Sequence, residues 1–395
     1  MRATIIGGGR IGRGFVASLL KRNQVEIDFF DTNKQLMKEF EQYNSYTVHV
    51  LGNTEENTVI DGYHSSHIDD SKAWATELNQ TDIIFTAVGG KNLTSLGTTI
   101  GKNYQQALAK GEIPSFILIT CENWMTPADD LQQAIESQLT NEEKEVFQNH
   151  VDVTQAVIRA SGTSAPPGKE TANPLDTWVQ DYWVLPVDGK RIQKHSKPDL
   201  RYFEFNDNFG EMLAQKIYTN NTSVALIAYL GYLKGISHVA DAANDPEIEP
   251  ILEAGYQEIN QALVYSLGVS QESQLEFSRV AEAKYKDYAI VDEVVRIGRD
   301  PLRKLAVDDR LIGPAKMALD AGITPKAISL ATAAAIYFDY SKDPAAEELK
   351  KIRETQGVDT VLEEICGIAK DSILANLIKE GISELKERQW IKEED

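Results

Sequence analysis

Residues 3–14 read Ala-Thr-Ile-Ile-Gly-Gly-Gly-Arg-Ile-Gly-Arg-Gly, and Phe15-Val16-Ala17-Ser18-Leu19-Leu20 follow with helical spacing. A short apolar strand thus runs into Gly7-x-Gly9-x-x-Gly12 and out into a helix. Few local patterns restrict a fold so tightly. Gly7 permits the tight turn, Gly9 lets the backbone approach a pyrophosphate, and Gly12 lets helix and strand pack closely. The helix start, with Arg10 and Ile11 on it, offers main-chain N–H groups to an anion.

A second β-like run, Val25 to Phe30, ends at Asp31, 22 residues beyond Gly9. A carboxylate there accepts both ribose hydroxyls and repels a 2′-phosphate, so NAD is favoured over NADP, with Lys34 weakening the preference slightly. The alternation continues with strands over 81–88 and 115–120, and helix-like stretches at 67–78 and 100–110. Ala87 and Val88 end the first of these strands, where a parallel sheet touches a cofactor. The second ends at Cys121-Glu122-Asn123, and Asn123 is either a turn former or a polar group at a ligand-binding edge. Strand–helix alternation of this kind means a doubly wound, mostly parallel sheet.

Residues 161–200 mix Pro, Gly and Ser with Trp178, Tyr182 and Trp183, aromatic residues that need burial, so they read as extra strands and loops at the sheet edge. From about residue 206 the apolar period becomes helical, over 207–218, 223–235, 248–267, 271–284, 312–321, 325–338, 343–355 and 358–385. The expectation is α/β plus all-α: a nucleotide-binding domain over 1–205 with extra strands, then a helical substrate domain over 206–395. The active site is expected in the cleft between them.

At 395 residues the chain is long for one core, and two domains agree with that length. The formal net charge of −20 leaves no basic surplus for a nucleic-acid partner, although a local cationic pocket remains open to a small anion. Cys121 and Cys366 stand far apart, which argues against a disulfide framework and for a reducing compartment. His64 and His67 are three apart, but the Asp-Gly and Ser-Ser around them suggest a loop rather than a metal site. No signal peptide opens the chain and no apolar run reaches membrane-spanning length, so a cytoplasmic protein is expected.

Two polar clusters interrupt the helical half. Lys216-Ile217-Tyr218-Thr219-Asn220-Asn221-Thr222-Ser223 precedes an apolar helical run that Asn221 or Thr222 can cap. Capping explains one of these residues, not all. The second cluster, Arg296, Arg299, Arg303, Lys304 and Arg310 against Asp300, Asp308 and Asp309, is either a salt-bridge network or a seat for an anionic substrate.

With these blocks assembled, the chain resembles the polyol-specific long-chain dehydrogenases, the mannitol dehydrogenase family. The likeness runs through GGGRIGRGF, SYTVHVLGNTE (45–55), TAVG (86–89), CEN (121–123), Lys216-x-x-x-x-Asn221, AYLG (228–231) and RIGRDPLRKLAVDDRLIGPA (296–315). It implies a Rossmann domain, a helical C-terminal domain of the 6-phosphogluconate-dehydrogenase type, no metal, and NAD-linked interconversion of a polyol and a ketose. Within the family it points to polyol phosphate and ketose phosphate, of the mannitol 1-phosphate and fructose 6-phosphate kind. It also implies that Lys216 is the general base, that Asn123 and Asn221 hydrogen-bond the reacting oxygen, and it favours a monomer.

Two positions depart from the family. Three residues past Asn221 the family carries a substrate-orienting histidine, and here stands Val224; the family's Asp-Arg pair is missing from TQAVIRASG (154–162). Loss of that histidine leaves the base and the oxygen donors in place, with His195 and His238 as replacements to consider. The alternatives are reduction of a sugar acid of the fructuronate or tagaturonate kind, reduction of a neutral ketose, or a non-catalytic relative that binds NAD(H).

Overall fold

The computed structural model describes residues 1–122, 124, 126–160, 162–163, 165–166 and 168–391. Two compact units divide the chain, Met1–Gly210 and Glu211–Asp395, with the boundary inside the helix Phe209–Lys216 rather than at 205/206.

The first unit is built on a six-stranded sheet. Across it the strands run His64–His67, Glu26–Asp31, Arg2–Ile6, Ile83–Thr86, Phe116–Thr120 and Val151–Gln155. Every neighbouring pair is parallel. Numbered along the chain within this sheet, the order is 3-2-1-4-5-6, the doubly wound arrangement whose direction of winding reverses beside the first strand. Alternation along each strand feeds two cores. Ile5, Phe29, Phe85 and Ile119 pack into one, and Ile6, Phe30, Ile84 and Leu118 into the other. A parallel sheet buried on both faces needs apolar residues on both, which is why these strands read as continuous apolar runs.

Two sequence expectations are corrected in this unit. His64-Ser65-Ser66-His67 is a strand, not a loop: as the sheet's edge it pairs on one side only, with Asp28–Asp31, and so tolerates polar side chains. Residues 161–200 do not simply extend the sheet edge. Gly162–Thr163 and Thr177–Val179 join Ser45–Val50 and Thr58–Asp61 in a separate four-stranded sheet. Leu185–Asp188 pairs with Phe203–Asn206 and meets the end of the main sheet's last strand, through a bridge from Ala156 to Val187 and a hydrogen bond from the Thr154 hydroxyl to the Asp188 carbonyl at 2.8 Å. Trp178 is buried in that arrangement.

The second unit is helical. Thr222–Leu233 and Lys326–Ile336 are apolar on all sides and buried, which marks them as the helices at the centre of the core. Around them lie amphipathic helices, among them Glu249–Leu267, Gln271–Lys286, Ile312–Asp320 and Pro344–Gln356. The helix expected over 358–385 is broken. Val358–Ile365 ends before Gly367, whose φ of 64° is left-handed, and the chain re-enters a helix at Ile373–Glu387, capped by Ser372. Among the described residues, no helix is long and apolar enough to cross a membrane.

Candidate active site

In the first unit the glycine turn lies at the C-terminal edge of the sheet, where its winding reverses. Gly7 sits at φ 100°, and a Cβ there would fall 2.5 Å from the Ala87 carbonyl oxygen. A Cβ on Gly12 would fall 1.9 Å from the Gly7 carbonyl oxygen, so helix and turn can close up only without a side chain. Gly9 is different: no heavy atom lies within 4 Å of where its Cβ would stand. Two of the three glycines are therefore required by the chain's own packing, and the third leaves an open space. That space lies at the N-terminus of a helical run which begins as a wide π-type turn, Arg10–Val16, and continues as Ala17–Arg22. This cradle suits a pyrophosphate.

Side chains hold the turn in shape. The Asp31 carboxylate accepts the Gly8 N–H at 2.7 Å and the Asn33 N–H at 2.8 Å, while the half-buried Arg13 guanidinium donates to the Gly8 carbonyl at 2.7 Å and to the Leu175 carbonyl at 2.9 Å. Burial lowers the Arg13 pKa from its ordinary value. Asp31 is only half-buried, and a carboxylate has about four lone-pair sites, so ribose hydroxyls can share it with Gly8. Arg10 is exposed and Ile11 half-buried at the mouth of the turn.

One residue here escaped the sequence reading. Glu122 is buried, and its carboxylate accepts the Thr86 hydroxyl at 2.8 Å and the Val88 N–H at 3.0 Å. It thereby fixes Thr86-Ala87-Val88, the segment whose main chain faces Gly7. Burial pushes its pKa above the ordinary carboxylate value. The only signal for it in the sequence is its place beside Asn123, which itself lies outside the described residues.

In the second unit the Lys216 stretch is not a helix start. The helix Phe209–Lys216 continues through a π-type turn, Ile217–Asn221, directly into Thr222–Leu233. Asn221 (φ −77°, ψ −28°) and Thr222 (φ −68°, ψ −53°) both have helical backbone and make no side-chain cap, which corrects the capping expectation. The Thr222 N–H reaches back to the Ile217 carbonyl, five residues earlier. That pattern has a consequence for Lys216 and Asn221. In an α-helix residues five apart lie roughly 140° apart around the axis. An i→i+5 turn returns them to nearly the same side, and such turns recur at functional sites. Lys216 and Asn221 are both buried, at 7% exposure each.

The arginine-rich block packs against this turn. The Tyr218 hydroxyl donates to the Asp308 carbonyl at 3.0 Å and the Thr222 hydroxyl to the Arg310 carbonyl at 2.7 Å, so the two polar clusters of the sequence meet. Within the block Arg303 donates to Asp300 and Asp309, and the buried Arg310 to Asp309. Arg296 is exposed and forks onto Asp292; Arg299 is exposed beside it. Lys304 departs from the expectation of a substrate cation. It is buried, and its ammonium donates to the Ile297 and Arg299 carbonyls, closing the end of the helix Val294–Gly298. Burial, then the nearby Arg310 and Arg303, bring its pKa down to about 7.

Val224, one turn beyond Thr219–Asn221, is buried in the apolar core. Of the histidines considered as replacements, His195 is held by Asp152 in the first unit at 2.8 Å. His238 is half-exposed beside Asp241.

Known proteins similar to this chain identify its family and its fold. A family model for the mannitol dehydrogenase Rossmann domain matches residues 1–200. A model for the mannitol dehydrogenase C-terminal domain matches residues 208–386. A mannitol-1-phosphate 5-dehydrogenase from Thermoanaerobacter pseudethanolicus is 30% identical over 387 residues, covering 98% of each chain. The protein of the same name from Bacillus pumilus is 30% identical over 384 residues, 96% of this chain and 99% of its own. Among solved structures, the Pseudomonas fluorescens mannitol 2-dehydrogenase ternary complex with NAD and D-mannitol superposes with a TM-score of 0.81 at 15% identity, over 99% of this chain and 92% of that one. A D-sorbitol dehydrogenase gives 0.74 at 14% identity, over 98% and 93%. At those identities the two structures speak for the fold alone. The two domain matches and the full-length relatives together place the chain in the mannitol dehydrogenase family.

Proposed function

We propose that the protein is an NAD-dependent dehydrogenase that interconverts a polyol phosphate and a ketose phosphate, of the mannitol 1-phosphate and fructose 6-phosphate kind. The observation that carries the reading is the π-type turn. In such an i→i+5 turn the buried Lys216 and the buried Asn221 would share nearly one side of the helix, and the turn meets the main chain of the arginine-rich block at Asp308 and Arg310.

Gly7, Gly9, Gly12, Arg10 and Ile11 would hold the dinucleotide's phosphates, Asp31 its ribose, and Ala87 and Val88 the neighbouring edge. NAD held there would supply the hydride acceptor for oxidation of the carbinol carbon. Lys216 receives the hydroxyl proton in oxidation and returns it in reduction. To accept that proton the amine must be in its neutral form at the moment of transfer. The Asn221 amide, with that of Asn123, donates to the oxygen on which negative charge develops. Arg299 and Arg303, with Arg296 at the rim, would receive the anionic group, since a guanidinium fork matches phosphate. Lys304 serves the fold rather than the substrate.

Val224 favours one second reading. An apolar side chain where relatives carry an orienting histidine neither donates nor accepts a hydrogen bond. A changed substrate, such as a sugar acid, follows from that difference.

The test is NADH oxidation with fructose 6-phosphate, fructose, fructuronate and tagaturonate, repeated with Lys216→Ala. Turnover on fructose 6-phosphate that Lys216→Ala abolishes is the expected result. Turnover on a uronate alone would transfer the function to the second reading. Full turnover by Lys216→Ala would remove the lysine from the mechanism, and NADH binding without turnover on any of the four would leave a dinucleotide-binding protein.

A further inference from the structure

We infer that Gln274 is a positioning residue for the reaction: its buried side-chain amide ties together the helical residues that flank Lys216 and so sets the lysine's place on the π-type turn. The inference rests on the reading of Lys216 as the base.

A π-type turn is rare because it admits one extra residue into a helix, and it persists where its surroundings hold it. Beside the contacts of Tyr218 and Thr222 with the arginine-rich block, part of the holding comes from the neighbouring helix Gln271–Lys286. Gln274 on it is wholly buried, with no solvent exposure. Its amide nitrogen donates to the Thr219 hydroxyl at 3.0 Å and to the Asn260 side-chain oxygen at 2.9 Å, and its oxygen accepts from the Gln215 amide at 3.0 Å. Gln215 immediately precedes Lys216, and Thr219 lies within the turn. One amide therefore spans the transition from α to π geometry at the residue that carries the amine. The Ser278 hydroxyl donates to the same Asn260 oxygen and completes the network. Eleven residues on, three helical turns along the same face, Tyr285 donates its hydroxyl to the Asn220 carbonyl at 3.1 Å.

Stability alone does not call for this arrangement. A buried amide must be hydrogen-bonded to break even, and apolar side chains of the same shape in the same place are often as stable. What a satisfied polar network adds is a single register. A lysine amine aimed at one oxygen needs that register, because misplacement by about 1 Å costs on the order of a hundredfold in rate.

The experiment compares Gln274→Met, Thr219→Val and Thr219→Ser with the unaltered protein, using fructose 6-phosphate and NADH for turnover, fluorescence titration for NADH affinity, and melting for integrity. The expected result is a kcat lowered on the order of ten- to a hundredfold in Gln274→Met and Thr219→Val, with KM for the ketose and the NADH Kd within about twofold, and kcat kept in Thr219→Ser, which retains the hydroxyl. Thr219→Val carries the test if Gln274→Met does not fold. A kcat within about twofold in both variants would overturn the inference, as would an equal loss in Thr219→Val and Thr219→Ser. Lys216→Ala separates the two readings. If it is inactive while Gln274→Met is fully active, only the positioning role falls. If Lys216→Ala turns over fully, or the unaltered protein is silent on fructose 6-phosphate, the reading beneath it falls too.

Discussion

Gly9 and Gly12 belong to one motif, yet the structure gives their substitution by alanine opposite consequences. A Cβ on Gly12 would lie 1.9 Å from the Gly7 oxygen and 3.1 Å from the Ile5 Cγ2. An ordinary carbon contact is roughly 3.5 Å, so the turn would have to open by about 1.5 Å. The obstacle is main chain, and no rotamer change relieves it. Overpacking typically costs about 1–3 kcal/mol, and a main-chain clash of this depth belongs at or above the upper end. At about 3 kcal/mol the first unit should melt roughly 6–12 °C lower. Gly9 has φ −67°, a conformation alanine adopts freely, and nothing within 4 Å. Gly9→Ala should therefore leave stability unchanged or raise it by about 0.4–1 kcal/mol, because the unfolded chain loses freedom. Its methyl group would nevertheless stand in the space read as the pyrophosphate's, weakening NADH binding by about tenfold or more, or roughly 1.4 kcal/mol. Differential scanning calorimetry and NADH fluorescence titration on the two variants decide the matter. A Gly9→Ala protein with unaltered NADH affinity would refute the placement of the phosphates. A Gly12→Ala protein that melts like the wild type would refute the packing argument.

Glu122→Ala should destabilise the first unit by roughly 2–4 kcal/mol, because the Thr86 hydroxyl and Val88 N–H lose their acceptor, while the isosteric Glu122→Gln should cost less than about 1 kcal/mol; urea denaturation measures both. Burial holds the Glu122 pKa above its ordinary 4.5, so just above that pH the folded state binds more protons than the unfolded one. The wild type should accordingly lose stability relative to Glu122→Gln as pH rises through that range. Lys304 has the opposite sign: its pKa near 7 lies below the ordinary 10.5, so between these values the unfolded chain binds more protons. The stability of the wild type relative to Lys304→Met should rise with pH there, by up to ~2 kcal/mol between about pH 7 and 9, as read by melts across a buffer series. Asp31→Ala should weaken NADH binding and narrow its advantage over NADPH, because the ribose acceptor and the anchor of Gly8 leave together; titration with both dinucleotides reads it.

Legibility in the sequence tracks how local each structural cause is. The glycine turn could be read because strand, turn, helix and acid lie within about thirty residues, the span of one βαβ unit. The parallel sheet could be read because buried strands are apolar without interruption. The four-stranded sheet was hidden because its central pairing joins Thr177 to Val48, and no period in either segment announces a partner so far away. Glu122 was hidden for a related reason. A glutamate at a strand end looks alike whether it meets solvent or, as here, the main chain of the next strand's turn.

The Lys216 stretch shows a different limit. Asn, Thr and Ser before an apolar run are the residue types of a helix cap, because their short side chains compete for main-chain groups. Those same properties let them satisfy groups that a widened turn exposes. In this chain the Ser223 hydroxyl bonds the Thr219 carbonyl at 2.8 Å, and Tyr285 supplies the Asn220 carbonyl from another helix. Composition does not separate the two cases; spacing does. A lysine and an asparagine five residues apart face different ways on an α-helix and nearly the same way on a π-type turn. If both side chains serve one reacting oxygen, the five-residue interval is itself the requirement that the helix widen. A buried network from Gln274 is then what such a turn needs in order to stay widened at that place.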